Sequence, residues 1–317
     1  MNEIYNDRHT NVIDDEIDLR ELFNVLLDGK WIILSVTTFA STLGIIYSLS
    51  LPDVYESKAI LAPVDSSSGI SGALSSYSQL ASMAGISLSS SNPENNSTKA
   101  LKKLESLSFF EKNILPNIFL PNLMAVKEWN HVTNTLIYND TAYDIKNNKW
   151  VRDYSYPNKQ IPSAQESFLV FHNGHLSTSE DKKTGFITIA VKHQSPNIAK
   201  KWIEIIISEV NTLYREKDKS ESEKAVIYLN EQIKITNLSE VKESVAELLK
   251  NEIQKLTLIE ANQSYIFDYI DPPAVMQYKS EPRRSVICII SALIGGILSI
   301  IIVFLMHYAP RERNKNL

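Results

Sequence analysis

Apolar residues gather at two places along the chain. Between Trp31 and Leu51 (WIILSVTTFASTLGIIYSLSL) no residue carries a charge, and at about 1.5 Å per residue a helix of that length matches a hydrocarbon core of about 30 Å. From Ser285 to Ala309 the chain again lacks Asp, Glu, Lys and Arg, and its centre is dense in Ile and Leu. Backbone groups in lipid must satisfy one another, so both runs predict transmembrane helices, 31–51 and 285–309. A cleaved secretory signal is the other reading of the first run; the acidic stretch before it and its full length count against that. Two spans place residues 1–30 and 310–317 on one side of a membrane and 52–284 on the other.

Outside the spans the periodicity predicts a mixed, α+β domain. Before the first span, Leu19, Leu22, Phe23, Leu26 and Leu27 recur at helical spacing, with Asp18 placed to cap and Gly29 to end the helix. This helix either lies in the membrane interface or simply continues into the span. Val54 to Ala62 alternates as a strand. Asp65 to Thr98 is rich in Ser and Gly and reads as a loop, with Leu74 to Ile86 as a helical turn or two; Lys99 to Asn113 reads as helix. Phe168 to Ser177 predicts a hairpin turning at Asn173-Gly174, followed by a strand from Gly185 to His193. Ser195 is placed to cap a helix with Pro196 in its first turn. Asn197 to Asp271 has no Gly or Pro. It predicts a helix over about 195–236, a break near Ile235 to Ser239, a second helix capped by Ser239, and a last strand, Tyr265 to Ile270. A helix about 60 Å long exceeds what a compact domain needs and predicts packing against neighbours, as a bundle rather than a coiled coil, since heptads are not sustained.

Charge changes this picture little. The net charge is −5, and acidic and basic residues nearly balance between the spans, so no basic domain exists to attract nucleic acid. Basic residues flank the spans on both sides, and long loops obey the positive-inside rule poorly, so charge leaves the orientation open. The single cysteine, Cys288, lies inside the second span; the domain between the spans has no disulfide.

The sequence offers little catalytic chemistry. It has no phosphate-binding Gly-rich loop of the G-x-x-x-x-G-K type, no G-x-S-x-G and no H-E-x-x-H. His172 and His175 form H-x-x-H but read as flanks of the Asn-Gly turn, not as a metal site. The expectation is a non-enzyme with no catalytic residues, metal or cofactor. Three other groups of residues stand out. Ala40, Gly44 and Ser48, and likewise Ser291, Gly295 and Ser299, are spaced by four, giving each span one small-residue face on which a helix packs closely. Pro272, Pro273 and Pro282 form a stiff connector before the second span. Arg283 and Arg284 sit at the interface, either snorkelling to lipid phosphates or engaging a lipid-linked pyrophosphate through their planar forks.

An ordered set of motifs resembles the polysaccharide co-polymerases of the chain-length determinant (Wzz) type. It consists of Ile17-Asp-Leu-Arg-Glu-Leu-Phe23, Pro52-x-x-Tyr55-x-Ser57-x-Ala59, Thr184-Gly-Phe-Ile-Thr-Ile189, Ser195-Pro196-Asn-Ile-Ala199-x-x-Trp202, Tyr269-Ile-Asp-Pro-Pro-Ala274 through Pro282-Arg-Arg284, and Gly295-Gly296. Gln277-Tyr278-Lys279 stands where the family's Pro-rich run has a proline about midway, and residues 66–161 carry no matching motif. The resemblance implies the class without a tyrosine-kinase domain, seated in a bacterial inner membrane with tails in the cytoplasm. It also implies a membrane-proximal α/β base in the periplasm with long protruding helices. The implied role is to set the modal length of O antigen or a related glycan. The implied partners are further copies in a ring, a Wzy-type polymerase, a lipid-linked glycan and membrane lipid. A periplasmic sensor ectodomain and an enzyme acting on lipid-linked sugars are the alternatives.

Overall fold

The computed structural model describes residues 19–64, 96–262 and 264–313. The chain divides into two units, Met1–Leu51 with Pro282–Leu317, and Pro52–Glu281.

In the first unit, helix α1 (Leu19–Asp28) is followed after Gly29 by helix α2 (Lys30–Ser50), and a C-terminal helix, Arg284–Arg313, packs along both. Gly29 does not close α1 in a left-handed turn: its φ is −82°. Its lack of a side chain serves a close approach instead, since a Cβ there would come within 2.5 Å of Val303 Cγ1. In α1, Val25 is buried while Phe23 and Leu27 are exposed. Asp18 lies outside the described residues.

The second unit is built on a four-stranded antiparallel sheet. In chain order its elements are β1 (Tyr55–Pro63), α3 (Asn96–Leu104), α4 (Leu120–Met124), β2 (Val126–Asn130), β3 (Thr135–Tyr138), β4 (Tyr143–Asp144) and β5 (Lys149–Trp150). Then follow α5 (Ala164–Val170), β6 (Leu176–Glu180), β7 (Ile187–His193), α6 (Pro196–Ile235), α7 (Ser239–Ala261) and β8 (Phe267–Asp271). The sheet runs β6-β7-β1-β8, and the pairs β2/β3 and β4/β5 are separate. Register sets Ser57 opposite Val191, Ala59 opposite Ile189 and Leu61 opposite Ile187. Because side chains alternate along a strand, these six share one face, and all are buried. Against that face α6 lays Ala199, Trp202, Ile203, Ile206, Ile207 and Val210, the one buried stripe its first four turns contain. Burying each Ile or Val of this layer contributes about 1.5–3 kcal/mol.

Several expectations are corrected. The helix expected over Lys99 to Asn113 starts earlier, at Asn96, and breaks at Ser106, whose extended backbone and Oγ, accepting from Phe109 N at 3.3 Å, begin a new turn. That new turn carries Phe109, Phe110 and Ile114 into the core. Residues 65–95, including the turn expected at Leu74 to Ile86, lie outside the described residues. The Asn173-Gly174 hairpin does not form. Ser163 caps α5, accepting from Glu166 N at 3.2 Å, and the helical path runs on through Phe171–His175 before β6 begins. Phe168 and Phe171 both pack on Phe110 there, and this tertiary contact outweighs the local turn signal. The hairpin turn lies at Asp181 to Phe186 instead, where Gly185 has φ +71° and its N–H bonds Asp181 O at 2.7 Å.

Helix α6 has 40 residues, about 60 Å. Pro196 occupies its first turn, and Ser195 is the cap position, but the Ser195 hydroxyl makes no capping bond. Extended backbone at Thr236 ends it, and Leu238, not Ser239, is the cap position of α7. Helix α7 folds back along α6, where Lys219 pairs with Glu260 and Tyr265 Oη donates to Asp218 Oδ2 at 2.5 Å. The last strand starts two residues later than the pattern suggests, because Ile266 and Phe267 are held by Asn211 of α6.

Candidate functional site

The small residues of the apolar helices meet one another. A Cβ on Gly44 would lie 2.2 Å from Ser291 Oγ, and one on Gly295 would lie 2.6 Å from Ala40 Cβ. With Gly29 against Val303, the contacts descend one helix as they climb the other, so α2 and the C-terminal helix are antiparallel. Ser48 and Ser299 are buried in the same seam. Ser291 Oγ donates to Ile287 O at 2.8 Å and Ser299 Oγ to Gly296 O at 2.6 Å, so these hydroxyls are satisfied within their own helix. The outer faces carry exposed Phe39, Ile46, Leu293 and Ile297.

The residues leading out of β8 are fastened to β1. Pro273 is buried and Pro272 exposed; the next carbonyl, that of Ala274, accepts from Ser57 Oγ at 2.8 Å. Val54 N donates to Glu281 O at 2.9 Å, Lys279 pairs with Asp53 at 2.9 Å, and Lys192 pairs with Glu281 at 2.5 Å. In the other unit, Pro282 O accepts from Arg284 N at 3.0 Å at the start of the C-terminal helix. Arg283 is exposed and Arg284 half-buried.

The two histidines of H-x-x-H separate. His172 stacks on Phe168, while His175 turns inward beside His193 and Trp202. Among the described residues no group of three His, Cys, Asp or Glu is placed to hold a metal ion. His193 accepts at Nδ1 from Ser195 N and donates from Nε2 to Asn122 O, both at 2.9 Å, which fixes the neutral tautomer. Burial depresses its pKa to about 4, and burial lowers that of His175 as well. An open concavity of about 410 Å³ lies over α6, lined by Asn117, Lys201, Glu204, Ile205, Ser208 and Glu209. Asn117 Nδ2 donates to Glu209 Oε1 at 3.0 Å.

Two features carry weight that the sequence pattern did not reveal. Asn211 accepts from both Ile266 N and Phe267 N at 2.9 Å and donates to Phe267 O at 3.0 Å. No local signal marks it. Arg152 forks onto Glu166 and also donates to the carbonyls of Lys159 and Gln160. Ser163-Ala-Gln-Glu166, a capping-box spacing, would have located the start of the helix that carries Glu166 but not its pairing with Arg152.

The class is thus an α+β unit whose sequence runs between two long apolar helices. Over residues 15–108 the chain matches the family "Wzz: Chain length determinant protein", the one its ordered motifs resemble. Among solved structures it is similar to a "full-length bacterial polysaccharide co-polymerase", at 14% identity over 94% of this chain and 99% of that one, with a TM-score of 0.38. It is also similar to a fragment of WzzB, a polysaccharide co-polymerase from Salmonella Typhimurium, at 12% identity over 73% of this chain and 100% of that one, with a TM-score of 0.30. No curated protein matches.

Proposed function

We propose that this chain is a non-enzymatic regulator of polysaccharide chain length. It would set the modal length of a glycan such as O antigen made by a Wzy-type polymerase. The observation that carries this is the family match over residues 15–108, which takes in α1, α2, β1 and α3. In this reading residues 31–51 and 285–309 cross the bacterial inner membrane, 52–284 form the periplasmic domain, and 1–30 and 310–317 are cytoplasmic. The exposed apolar outer faces of the helix pair support a lipid environment, since in water such a surface is costly. The exposed stripe of Phe23 and Leu27 would then lie in the interface. The Ala40, Gly44, Ser48 and Ser291, Gly295, Ser299 faces are the packing surfaces of the spans. Pro272, Pro273 and Pro282 form the connector, and Arg283 and Arg284 meet lipid phosphate or a lipid-linked pyrophosphate.

Further copies of the chain, arranged as a ring, are the partner that α6 and α7 call for. Ile227, Tyr228, Ile235, Leu248 and Ile253 on these two helices, and Leu238 between them, are all exposed, and helices of this length gain most of their stability from packing of an apolar face. Deleting the gene and resolving the lipopolysaccharide on a gel tests the reading. Loss of a preferred length with polymer still present is the expected result. Loss of all polymer would mark an enzyme of synthesis, and an unchanged ladder would remove the glycan from its role.

A further inference from the structure

The turn between β5 and α5 holds side chains in water at a structural cost. Tyr156 is 97% exposed, and Tyr154 and Ile161 are 61% and 62% exposed. A chain segment with such side chains is ordinarily left loose, because ordering it costs conformational entropy without burial to offset it. Here it is fastened at several points. The Arg152 guanidinium forks onto Glu166, with Nη2 to Oε2 at 2.8 Å, while Nε donates to Gln160 O at 2.9 Å and Nη2 to Lys159 O at 2.5 Å. Asn158 N donates to Ser155 O at 2.9 Å, closing a tight turn around Tyr156 and Pro157. Pro162 is buried, and Ser163 caps the helix that carries Glu166.

The arginine is therefore the staple of the turn and not its ligand-binding charge. Glu166 holds the guanidinium, and the pairing lowers the carboxylate's pKa and raises the guanidinium's. What faces outward is two phenol rings and the Ile161 side chain, interleaved with Ser155, Pro157, Asn158 and Gln160, with Asp153 and Lys159 of opposite sign among them. This composition has almost no net charge. It offers aromatic faces, whose negative π-clouds attract slightly positive C–H groups, and neutral groups that both donate and accept hydrogen bonds. Rigid aromatic anchors set among adaptable Ser, Asn and Gln groups are a recurrent recognition surface. The ligand that presents C–H faces and hydroxyls together is a pyranose ring. A protein partner would ordinarily bury about 800 Å² of each surface around an apolar centre, whereas here polar residues separate the rings.

We propose that the turn of residues 151–163 is a polysaccharide-binding element on which Tyr154 and Tyr156 stack against sugar rings of the glycan. This rests on the chain-length reading above and adds to it the surface that touches the polymer. The detergent-solubilised full-length protein is titrated with lipid-free polysaccharide released from the producing strain by mild acid, with dextran as control. Binding is read by saturation-transfer NMR and calorimetry. Replacing both rings, Tyr154→Ala with Tyr156→Ala, weakens binding about tenfold or more, while Tyr154→Phe with Tyr156→Phe keeps most of it, because the ring faces remain. Arg152→Gln weakens binding through loss of the turn's shape and lowers the melting temperature, which the double Ala variant leaves unchanged. Unchanged binding in the double Ala variant overturns the proposal. So does a fall in the mass of the solubilised complex, which would make the turn a contact between copies. If the wild-type protein binds no polysaccharide while gene deletion still abolishes the preferred length, this inference fails and the regulatory reading stands. An unchanged ladder on deletion removes the reading itself.

Discussion

Four residues show how single groups set the properties of this chain. Asn211 satisfies two N–H groups and one carbonyl at the entry to β8. Asn211→Ala leaves all three unpaired beside buried Ile266 and Phe267, and a loss of about 2–4 kcal/mol in chemical denaturation is expected. Asn211→Asp keeps the acceptor but sets a carboxylate oxygen against Phe267 O, so it rescues little. His193 governs the acid response. Its Nδ1 is occupied by Ser195 N–H and its neighbours are His175 and Trp202, so a proton there breaks a bond and has no carboxylate to meet. With its folded pKa lowered to about 4 from 6.5, the unfolded chain binds the proton first. The stability that neutral His193 supplies is whole above pH 6.5 and falls away as the pH drops toward 4, by about 3 kcal/mol. Lowered titration of His175 adds in the same direction. Denaturation midpoints measured from pH 7 to 4 show this slope, and His193→Gln flattens it. Gly44 and Gly296 form a contrast within the apolar helices. Gly44→Val forces Ser291 aside and costs about 1–3 kcal/mol of thermal stability in detergent, while Gly296→Ala, with nothing within 4 Å of its Cβ, is neutral or slightly stabilising.

At the scale of elements, long and strongly periodic segments were legible and short ones were not. The extent of α6 followed from 40 residues with no glycine and no proline beyond Pro196, which takes the first turn. The strand β1 followed from its alternation, and the structure shows that the face of Ser57, Ala59 and Leu61 is the one that meets the core. The segment from Leu107 to Trp150 was not legible, because its turns are set by contacts distant in sequence. Tyr143 packs between Phe119, Tyr138 and Trp150, and Asn134 and Asn148 take positive φ to close two small hairpins. The Asn173-Gly174 signal failed for the related reason that Phe171 is drawn against Phe110 and Trp202. Of the candidate site, the small-residue spacing could be read from sequence, but which residue of one helix meets which of the other depends on the helix pair's geometry. The staple of Arg152 joins partners 14 residues apart across a turn with no periodicity. The exposed stripe on α6 and α7 carries its own prediction. Ile227→Asp with Leu248→Asp, both on solvent-facing positions, lowers the mass of the detergent-solubilised complex measured by light scattering and leaves the helical circular dichroism intact.

For the molecule as a whole, the sheet order says how the second unit must be made. Strand β1 is flanked by β7 on one side and β8 on the other, yet it leaves the synthesis machinery first of the four and β8 last. The two ends of the unit are also clasped together, Val54 to Glu281. Until residues near 267 have been made, one edge of β1 offers unpaired backbone groups, and the apolar face bearing Ala59 and Leu61 waits for α6. Pairings so distant in sequence close slowly, and an open edge beside uncovered apolar surface is the setting in which nascent chains join one another. Biogenesis of this protein therefore has a vulnerable interval set by translation, spanning the more than 200 residues between β1 and β8. A chain halted before β8 is expected to be bound by holding chaperones and cut by proteases more readily than one released after it.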